Sequence, residues 1–336
     1  MKALVVGAGS IGRRHIDNLH ALGIGELGVY DAHPATQRAV AADGIRTFDA
    51  YAAALDWQPD VALICSPSHL HLGQASDLLE VGAHVFVEKP LSHSWEGIPE
   101  FLRRADASDR VVQVGYNLRF HPAVRCIQEN LAAGKIGTAW LLRARFGHYL
   151  PQWRPGQDYR DTYAARVGQG GGVLMDCIHE VDYLLSWGGD VAETRASLAR
   201  VSDLEIDGED YATVFLRFAS GAVGEVRADY LRYDKVREAE VIGSAGMLVW
   251  ESQGRDPEAV LVRFFDPKTK NYTTLLELAG YDPNEMYVDE LRHFLGCVRG
   301  EGEPLVTARE AARSLAIVLE ARGAADGEMA LTGRKS

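Results

Sequence analysis

Three glycines near the start of the chain have the spacing of a phosphate-binding loop. Gly7, Gly9 and Gly12 form a G-x-G-x-x-G pattern, which follows an apolar run at 2–6 and precedes a helical pattern. Gly7 permits a tight turn, Gly9 lets the backbone approach a pyrophosphate, and Gly12 allows helix and strand to pack closely. The free N–H groups at the start of the helix attract the phosphate charge. We expect a dinucleotide to bind the loop residues Gly7, Gly9, Ser10, Ile11 and Gly12.

An acidic residue follows the next apolar strand and selects the form of the dinucleotide. Asp31 comes directly after this strand, about 20 residues beyond the glycine loop, where a carboxylate hydrogen-bonds the adenosine ribose. A carboxylate repels a 2′-phosphate, and the residues directly after Asp31 include no Arg or Lys. The pattern therefore predicts NAD as the cofactor and makes NADP less favourable. The alternative is a glycine-rich turn that binds no ligand.

Two further loops follow apolar strands in the same alternation of strands and helices, which is typical of a doubly wound parallel sheet. One strand runs into Ser66-Pro67 and the next into Glu88-Lys89-Pro90. Ligands of such sheets bind beyond the carboxyl ends of the strands, so both loops are candidates for the cofactor site. The alternative for Glu88 and Lys89 is a surface salt bridge near a turn. The further cofactor contacts that we expect are Ser66, Pro67, His71, Glu88, Lys89 and Asn117.

A second group of polar side chains lies on a helix predicted over 170–187, which the chain enters through three glycines. At about 100° per residue, Asp176, His179 and Tyr183 share one side of this helix. The opposite side is apolar, with Leu174, Ile178, Val181 and Leu185. One side is therefore expected to pack, while the other presents a carboxylate, an imidazole and a phenol. The alternative is a solvated face with a stray histidine.

An imidazole, an ammonium and a dinucleotide together indicate hydride chemistry. An alcohol that gives up a hydride must also lose its hydroxyl proton, which requires a base and a nearby cation. His179 suits the base, because the unperturbed pKa of histidine is about 6.5. Lys89 suits the cation that stabilises the developing alkoxide, or shares the base role if burial lowers its pKa. We expect Lys89, His179 and Asp176 to be the catalytic residues.

The composition and length limit the classes of protein to which the chain can belong. The 336 residues are enough for two domains, and the net charge of −12 argues against nucleic acid or an anionic membrane as partner. Four widely spaced cysteines and the lack of a secretory pattern suit a reducing cytoplasm, and no metal site is indicated. We predict an α/β, NAD-binding Rossmann domain with a doubly wound parallel sheet over 1–118. Long antiparallel strands predict an α+β domain over 119–336, which ends in helices at about 285–322.

The chain resembles the glucose–fructose oxidoreductase and inositol dehydrogenase family over nearly its whole length. The segments that carry the resemblance are Gly7 to Gly12, Ser66-Pro67 with His71, Glu88-Lys89-Pro90, Gly115 to Pro122, Gly170 to Asp182, and Glu240 to Leu248. The most specific of these is Glu88-Lys89-Pro90 at the end of the fifth strand. One departure is that many members place an aspartate four residues before the histidine, whereas here Asp176 lies three residues before His179.

The resemblance implies an enzyme that oxidises or reduces sugars, cyclitols and related hydroxyl compounds. It also implies that Lys89 and His179 are the catalytic pair. The second domain would bind the substrate, and its large open sheet would form the contact of a homodimer or homotetramer.

Arginine and aromatic residues are frequent in the linker and in the irregular stretch after it, and arginine suits carboxylate or phosphate groups. The arginines are Arg119, Arg143, Arg145, Arg154, Arg160 and Arg166. We expect about half of them to be ordinary surface charge. The hypothesis is an acidic or nucleotide-linked sugar as substrate. The candidate substrate-binding residues are Arg119, His121, Tyr149, Trp153, Arg154, Tyr163 and Tyr183.

Two other functions are compatible with the same residues. Some relatives use bound NAD in a redox-neutral cycle, in which a sugar is oxidised transiently, hydrolysed, cleaved or epimerised, and then reduced again. A non-catalytic NAD-binding regulator is the third possibility, although retention of Lys89 and His179 argues against it.

Overall fold

The chain divides into two units in the computed structural model, which describes residues 1–154, 156–253 and 258–323. The first unit comprises Met1–Asn117 and Met286–Ala312. The second comprises Leu118–Glu285 and the described residues from Arg313 onward. None of the helices in the described ranges has the length and apolar character needed to span a membrane.

The first unit contains a six-stranded parallel sheet with the order β3-β2-β1-β4-β5-β6. Its strands are β1 (Lys2–Val6), β2 (Glu26–Tyr30), β3 (Arg46–Thr47), β4 (Val61–Ile64), β5 (His84–Glu88) and β6 (Val112–Gly115). All four residues of β4 are buried, as its unbroken apolar run predicts. The order reverses between β1 and β4, and ligands of such sheets bind in the crevice at this switch point. The glycine loop and the Ser66 loop leave from these two strands.

The helices of this unit connect successive strands. They are α1 (Ser10–Ala21), α2 (Pro34–Ala42), α3 (Tyr51–Asp56), α4 (His71–Glu80) and α5 (Ile98–Ala107). Strand–helix alternation around a parallel sheet confirms the predicted Rossmann architecture.

The second unit contains an eight-stranded sheet with the order β14-β13-β12-β11-β7-β10-β9-β8. The strands are β7 (Ala139–Gly147), β8 (Val191–Ala199), β9 (Tyr211–Phe218), β10 (Val223–Asp229), β11 (Val236–Gly243), β12 (Gly246–Gln253), β13 (Glu258–Asp266) and β14 (Asn271–Tyr281). Only β7 and β10 pair in parallel, and the other six pairings among the described strands are antiparallel. The predicted large and mainly antiparallel sheet is confirmed.

The two faces of this sheet differ in burial. On β7, Leu142, Ala144 and Phe146 are buried, whereas Arg143 is exposed and Arg145 is partly exposed. Successive side chains of a strand point to opposite faces, so one face forms the core of the unit. The other face carries the exposed side chains, and its use in a dimer or tetramer stays a prediction.

The helices of the remaining chain are α6 (Pro122–Ala132), α7 (Val173–Asp176), α8 (Ile178–Gly188), α9 (Asn284–Val298) and α10 (Ala308–Ala321). The prediction of one continuous helix over 170–187 is wrong. Cys177 leaves the helical backbone conformation, with φ −93° and ψ 26°, and separates α7 from α8. A single helical wheel therefore does not describe Asp176 and His179, which lie on different helices.

The closing helix α9 packs in the core of the first unit. Leu291, Phe294 and Leu295 belong to the same apolar cluster as Val5 of β1 and Leu63 of β4. The sequence prediction assigns all the closing helices to the second domain, whereas Met286–Ala312 groups with the first unit. An amphipathic pattern indicates that one face of a helix is buried, but it does not identify the sheet that covers that face.

The packing of α9 in this core predicts how substitutions on it change the stability of the protein. Leu291 is fully buried, so Leu291→Ala should lower the free energy of unfolding by about 3 kcal/mol through lost burial and a cavity. Leu305→Ala is the matched control, because Leu305 is 36% exposed and should cost far less. Urea unfolding in the presence of NAD measures the free energy of unfolding of both variants. Equal effects of the two variants would contradict the packing of α9 in this core.

Candidate active site

The glycine loop joins β1 to α1 at the switch point of the first sheet. Gly7 has φ +90°, a conformation that L side chains rarely adopt, and a Cβ there would lie 2.7 Å from the backbone nitrogen of Ser66. A Cβ on Gly12 would overlap the carbonyl oxygen of Gly7. In contrast, a Cβ on Gly9 would meet no atom of the described residues within 4 Å. The loop is therefore closed on its inner side and open at Gly9, which fits the close approach of a pyrophosphate.

Asp31 connects the end of β2 to the glycine loop. Its Oδ2 accepts a hydrogen bond from the backbone N–H of Ala8 at 2.7 Å, and its Oδ1 accepts one from His33 at 2.8 Å. Each carboxylate oxygen has a second lone pair, so both can still accept a ribose hydroxyl. The side chain is anchored at 7% exposure beside the loop. This geometry fits the adenosine ribose of NAD.

The Glu88 carboxylate points into the first unit. Its Oε1 lies 2.6 Å from Nε2 of His15 on α1, and its Oε2 accepts from the backbone N–H of Lys89 at 3.1 Å. His15 is fully buried and Glu88 is 8% exposed. Because Glu88 is buried and pairs with His15, the alternative of a surface salt bridge does not describe it. The motif instead ties the end of β5 to the helix that follows the glycine loop.

His71 occupies the space between the other two loops. Its ring is 1% exposed, its Nε2 lies 2.8 Å from the carbonyl oxygen of Ser66, and its Nδ1 lies 2.8 Å from that of Pro90. The sequence predicts His71 as a direct cofactor contact. Since both ring nitrogens face backbone carbonyls, the structure favours a role in holding the loops.

In the second unit, the carboxylate of Asp176 accepts hydrogen bonds from two tyrosines. The Tyr163 hydroxyl donates to Oδ1 at 2.6 Å, and the Tyr230 hydroxyl donates to Oδ2 at 2.8 Å. Burial, followed by the charge of Asp176, raises the pKa of both phenols well above the ordinary value. Both tyrosines therefore remain protonated donors at neutral pH, and they fix the orientation of Asp176.

Aromatic and basic groups surround this carboxylate. The guanidinium carbon of Arg154 lies 5.3 Å from the centroid of the Tyr163 ring. The Trp153 ring packs edge-on against Tyr230, with centroids 5.2 Å apart, and its Nε1–H donates to the carbonyl of His148 at 2.9 Å. The structure thus brings together three predicted site residues, Asp176, Tyr163 and Arg154, within one unit.

His179 lies in the first turn of α8, three positions after Asp176 and beyond the interruption at Cys177. Its side chain is partly exposed. An imidazole in this position is accessible and can exchange a proton with a ligand.

Comparison with known proteins identifies the family. Residues 1–116 match the model described as "Oxidoreductase family, NAD-binding Rossmann fold", and residues 124–249 match the "GFO/IDH/MocA C-terminal domain". The chain belongs to the GFO/IDH/MocA oxidoreductase family. The predictions of this family, of an NAD-dependent dehydrogenase and of the NAD cofactor are confirmed.

Relatives resemble the chain over nearly its whole length. The scyllo-inositol 2-dehydrogenase (NAD(+)) of Bacillus subtilis is 28% identical, over 96% of this chain and 93% of its own. The myo-inositol 2-dehydrogenase of Thermotoga maritima is 28% identical, over 94% and 93%.

A solved structure shares the fold. The WlbA dehydrogenase of Bordetella pertussis, crystallised with NADH and UDP-GlcNAcA, has a TM-score of 0.78 and 24% identity, over 97% of each chain.

Two substrate-binding candidates lie in the core of the second unit. His121 is 1% exposed, and its Nδ1 accepts from the backbone N–H of Ala123 to cap α6. Tyr183 is fully buried, with its ring 4.8 Å from Trp187 and 6.0 Å from Trp250. Both side chains are covered by protein in this structure, which favours a packing role over the predicted contact with substrate.

Most of the candidate arginines form ion pairs with nearby acidic side chains. These pairs are Arg119 with Asp182, Arg143 with Glu240, Arg145 with Glu238, and Arg160 with Asp158. Among the described residues, Arg154 and Arg166 have no carboxylate partner. Of these two, only Arg154 also contacts the ring of Tyr163, whose hydroxyl donates to Asp176.

Sequence reasoning missed two residues of these sites. His15 anchors Glu88, and Tyr230 donates to Asp176, yet neither lies in a motif that the sequence analysis uses. A histidine among the apolar positions of α1 is a weak signal of a buried partner. Tyr230 follows β10, and no local pattern connects it with a helix 54 residues earlier.

The packing of the glycine loop predicts opposite effects of two Gly→Ala substitutions. Gly12→Ala should destabilise the first unit and weaken NAD binding by at least about tenfold, because its Cβ would overlap the Gly7 carbonyl. Gly73→Ala is the control, because it lies inside α4 with open space around its Cβ and should stabilise by about 0.5–1 kcal/mol. Thermal unfolding and NAD titration measure both. A neutral Gly12→Ala would contradict the described loop.

Proposed function

We propose that the protein transfers a hydride between NAD and a hydroxyl-bearing carbon of a sugar or cyclitol. Family membership supports this reaction class, and the names of the inositol dehydrogenases support the substrate class. The observation that carries the proposal is the anchoring of Lys89 by Glu88 and His15. It holds an ammonium-bearing residue at the carboxyl edge of an NAD-binding sheet, where substrates of such sheets bind.

The proposed mechanism uses two catalytic groups. His179 removes the hydroxyl proton of the substrate, and Lys89 stabilises the alkoxide that forms. Bound NAD supplies the hydride acceptor. Asp176 supports the site as a hydrogen-bond acceptor whose orientation is held by two phenolic hydroxyls.

We further propose that the substrate carries a negative charge, as an acidic or nucleotide-linked sugar does. Arg154 supports this, because its guanidinium stacks on Tyr163 beside Asp176 and has no carboxylate partner among the described residues. A guanidinium without a carboxylate partner suits bidentate binding of a carboxylate or phosphate. Structural neighbours include a dehydrogenase crystallised with UDP-GlcNAcA and a UDP-N-acetylglucosamine 3-dehydrogenase.

The catalytic roles predict the behaviour of two variants. Lys89→Met and His179→Gln should each lower kcat by about 10²–10⁴-fold, because each removes a group that acts on the reacting hydroxyl. NAD affinity should change far less than kcat in either variant, since the glycine loop and Asp31 are intact. Lys268→Met is the control, because Lys268 is exposed in a turn. The assay is a dehydrogenase screen with NAD and NADP against neutral sugars, cyclitols, uronates and nucleotide sugars.

The same screen separates the alternatives. Steady turnover of a sugar without accumulation of NADH would favour a redox-neutral hydrolase, lyase or epimerase. Full biological activity of Lys89→Met would favour a non-catalytic regulator and would contradict the proposed mechanism.

The charge of the substrate is tested at Arg154. Arg154→Gln should raise KM for a charged sugar by about 10- to 100-fold, because it removes a charge-assisted hydrogen bond. KM for any neutral substrate should be unchanged. Arg166→Gln serves as control, since Arg166 is exposed and lacks the contact with Tyr163. Equal effects on charged and neutral substrates, or a wild type without preference for charged sugars, would contradict an anionic substrate.

A further inference from the structure

A single buried histidine joins two loops at the carboxyl edge of the first sheet. His71 lies at the start of α4, with its ring 1% exposed. Each ring nitrogen lies 2.8 Å from a backbone carbonyl oxygen, Nε2 from that of Ser66 and Nδ1 from that of Pro90. Ser66 follows β4, and Pro90 follows Glu88 at the end of β5. The ring therefore spans the gap between the loops of neighbouring parallel strands.

The two contacts determine how many N–H groups the His71 ring must carry. A carbonyl oxygen can only accept a hydrogen bond, so each contact requires an N–H on the ring. Neutral imidazole has one N–H and imidazolium has two. Both loops are therefore tied to His71 at the same time only when the ring is protonated. In the neutral ring, one nitrogen lone pair faces a carbonyl lone pair, and that contact is not a hydrogen bond.

The groups around the ring have opposite effects on the pKa of His71. Burial lowers the pKa of His71, while the carbonyls of Ser66 and Pro90 and the charge of Glu88 raise it, and nearby His69 lowers it. Together these effects lower the pKa of His71 below the ordinary value of histidine. At neutral pH the ring of the protein without ligand is therefore mainly neutral, and one of its two 2.8 Å contacts then lacks the hydrogen of a hydrogen bond.

Both loops also connect to the glycine loop. A Cβ on Gly7 would contact the backbone of Cys65 and Ser66, so the Ser66 loop lies directly against the turn. Glu88 is held by His15 of α1, the helix that follows the glycine loop. A shift of either loop around His71 therefore alters the surroundings of the expected cofactor site.

We propose that His71 is a positioning residue that takes up a proton when the dinucleotide binds beside the Ser66 and Pro90 loops. This inference rests on the proposed cofactor site and adds a pH dependence to it. Because the bound state holds more protons than the free state, NAD affinity rises as the pH falls, by up to about tenfold per pH unit for one proton.

The test is NAD affinity as a function of pH in three proteins. Tryptophan fluorescence titrations between about pH 8 and pH 6, where histidine titrates, should show affinity rising in the wild type as the pH falls. In His71→Gln the dependence should disappear, since an amide does not titrate. His69→Gln is the control, because His69 is exposed two residues away, and it should keep most of the dependence. A wild type without the rise, or a His71→Gln variant that retains it, overturns the proposal.

A measurement on the wild type covers the case in which His71→Gln does not fold. Histidine ring ¹⁵N chemical shifts distinguish neutral imidazole from imidazolium. His71 should be neutral without NAD and protonated with NAD at the same pH. The same state in both samples overturns the coupling. A pH-dependent NAD affinity without any dehydrogenase turnover would contradict the proposed function alone, whereas turnover with pH-independent affinity would contradict this inference alone.

Discussion

A buried carboxylate requires hydrogen-bond donors, and in this protein Glu88 finds them in the imidazole of His15 and the backbone N–H of Lys89. Leaving a buried polar group without its partner costs about 1–3 kcal/mol, and more when the group is charged, so this contact strongly constrains the local structure. It fixes the end of β5 to α1 and thereby sets the position of Lys89 relative to the glycine loop. The family motif thus has two parts: the glutamate is structural, and we propose the lysine as catalytic.

Two buried histidines complete the connection of three loops around the switch point of the sheet. His15 needs one N–H to meet Glu88, whereas His71 needs two to meet both of its carbonyls. The first contact is therefore satisfied by a neutral ring and the second is not. The second unit follows the same principle at Asp176, where two tyrosine hydroxyls occupy the carboxylate oxygens. Polar side chains with a proposed function are held by buried neighbours that lie outside the recognisable motifs.

Both sheets follow from local patterns. Unbroken apolar runs such as that of β4 predict the parallel sheet, and alternating runs such as β7 predict the antiparallel one. Local patterns do not reveal the interruption at Cys177, the burial of Tyr183 or the packing of Leu291 in the first core. These features depend on which distant element covers a helix face. The sequence also does not reveal which of the candidate arginines form ion pairs. Only the tertiary contacts distinguish Arg154 from the majority, which pair with acidic side chains.

The central claim is that the glycine loop, the Ser66 loop and the Glu88-Lys89-Pro90 loop act as one connected cofactor site. Hydrogen–deuterium exchange with and without NAD tests it most directly, because exchange reports local opening of each loop. The account predicts that NAD slows exchange in all three loops together, and that disrupting the Glu88–His15 pair with His15→Leu weakens the protection of all three. Protection confined to the glycine loop, or unaffected by His15→Leu, would contradict it.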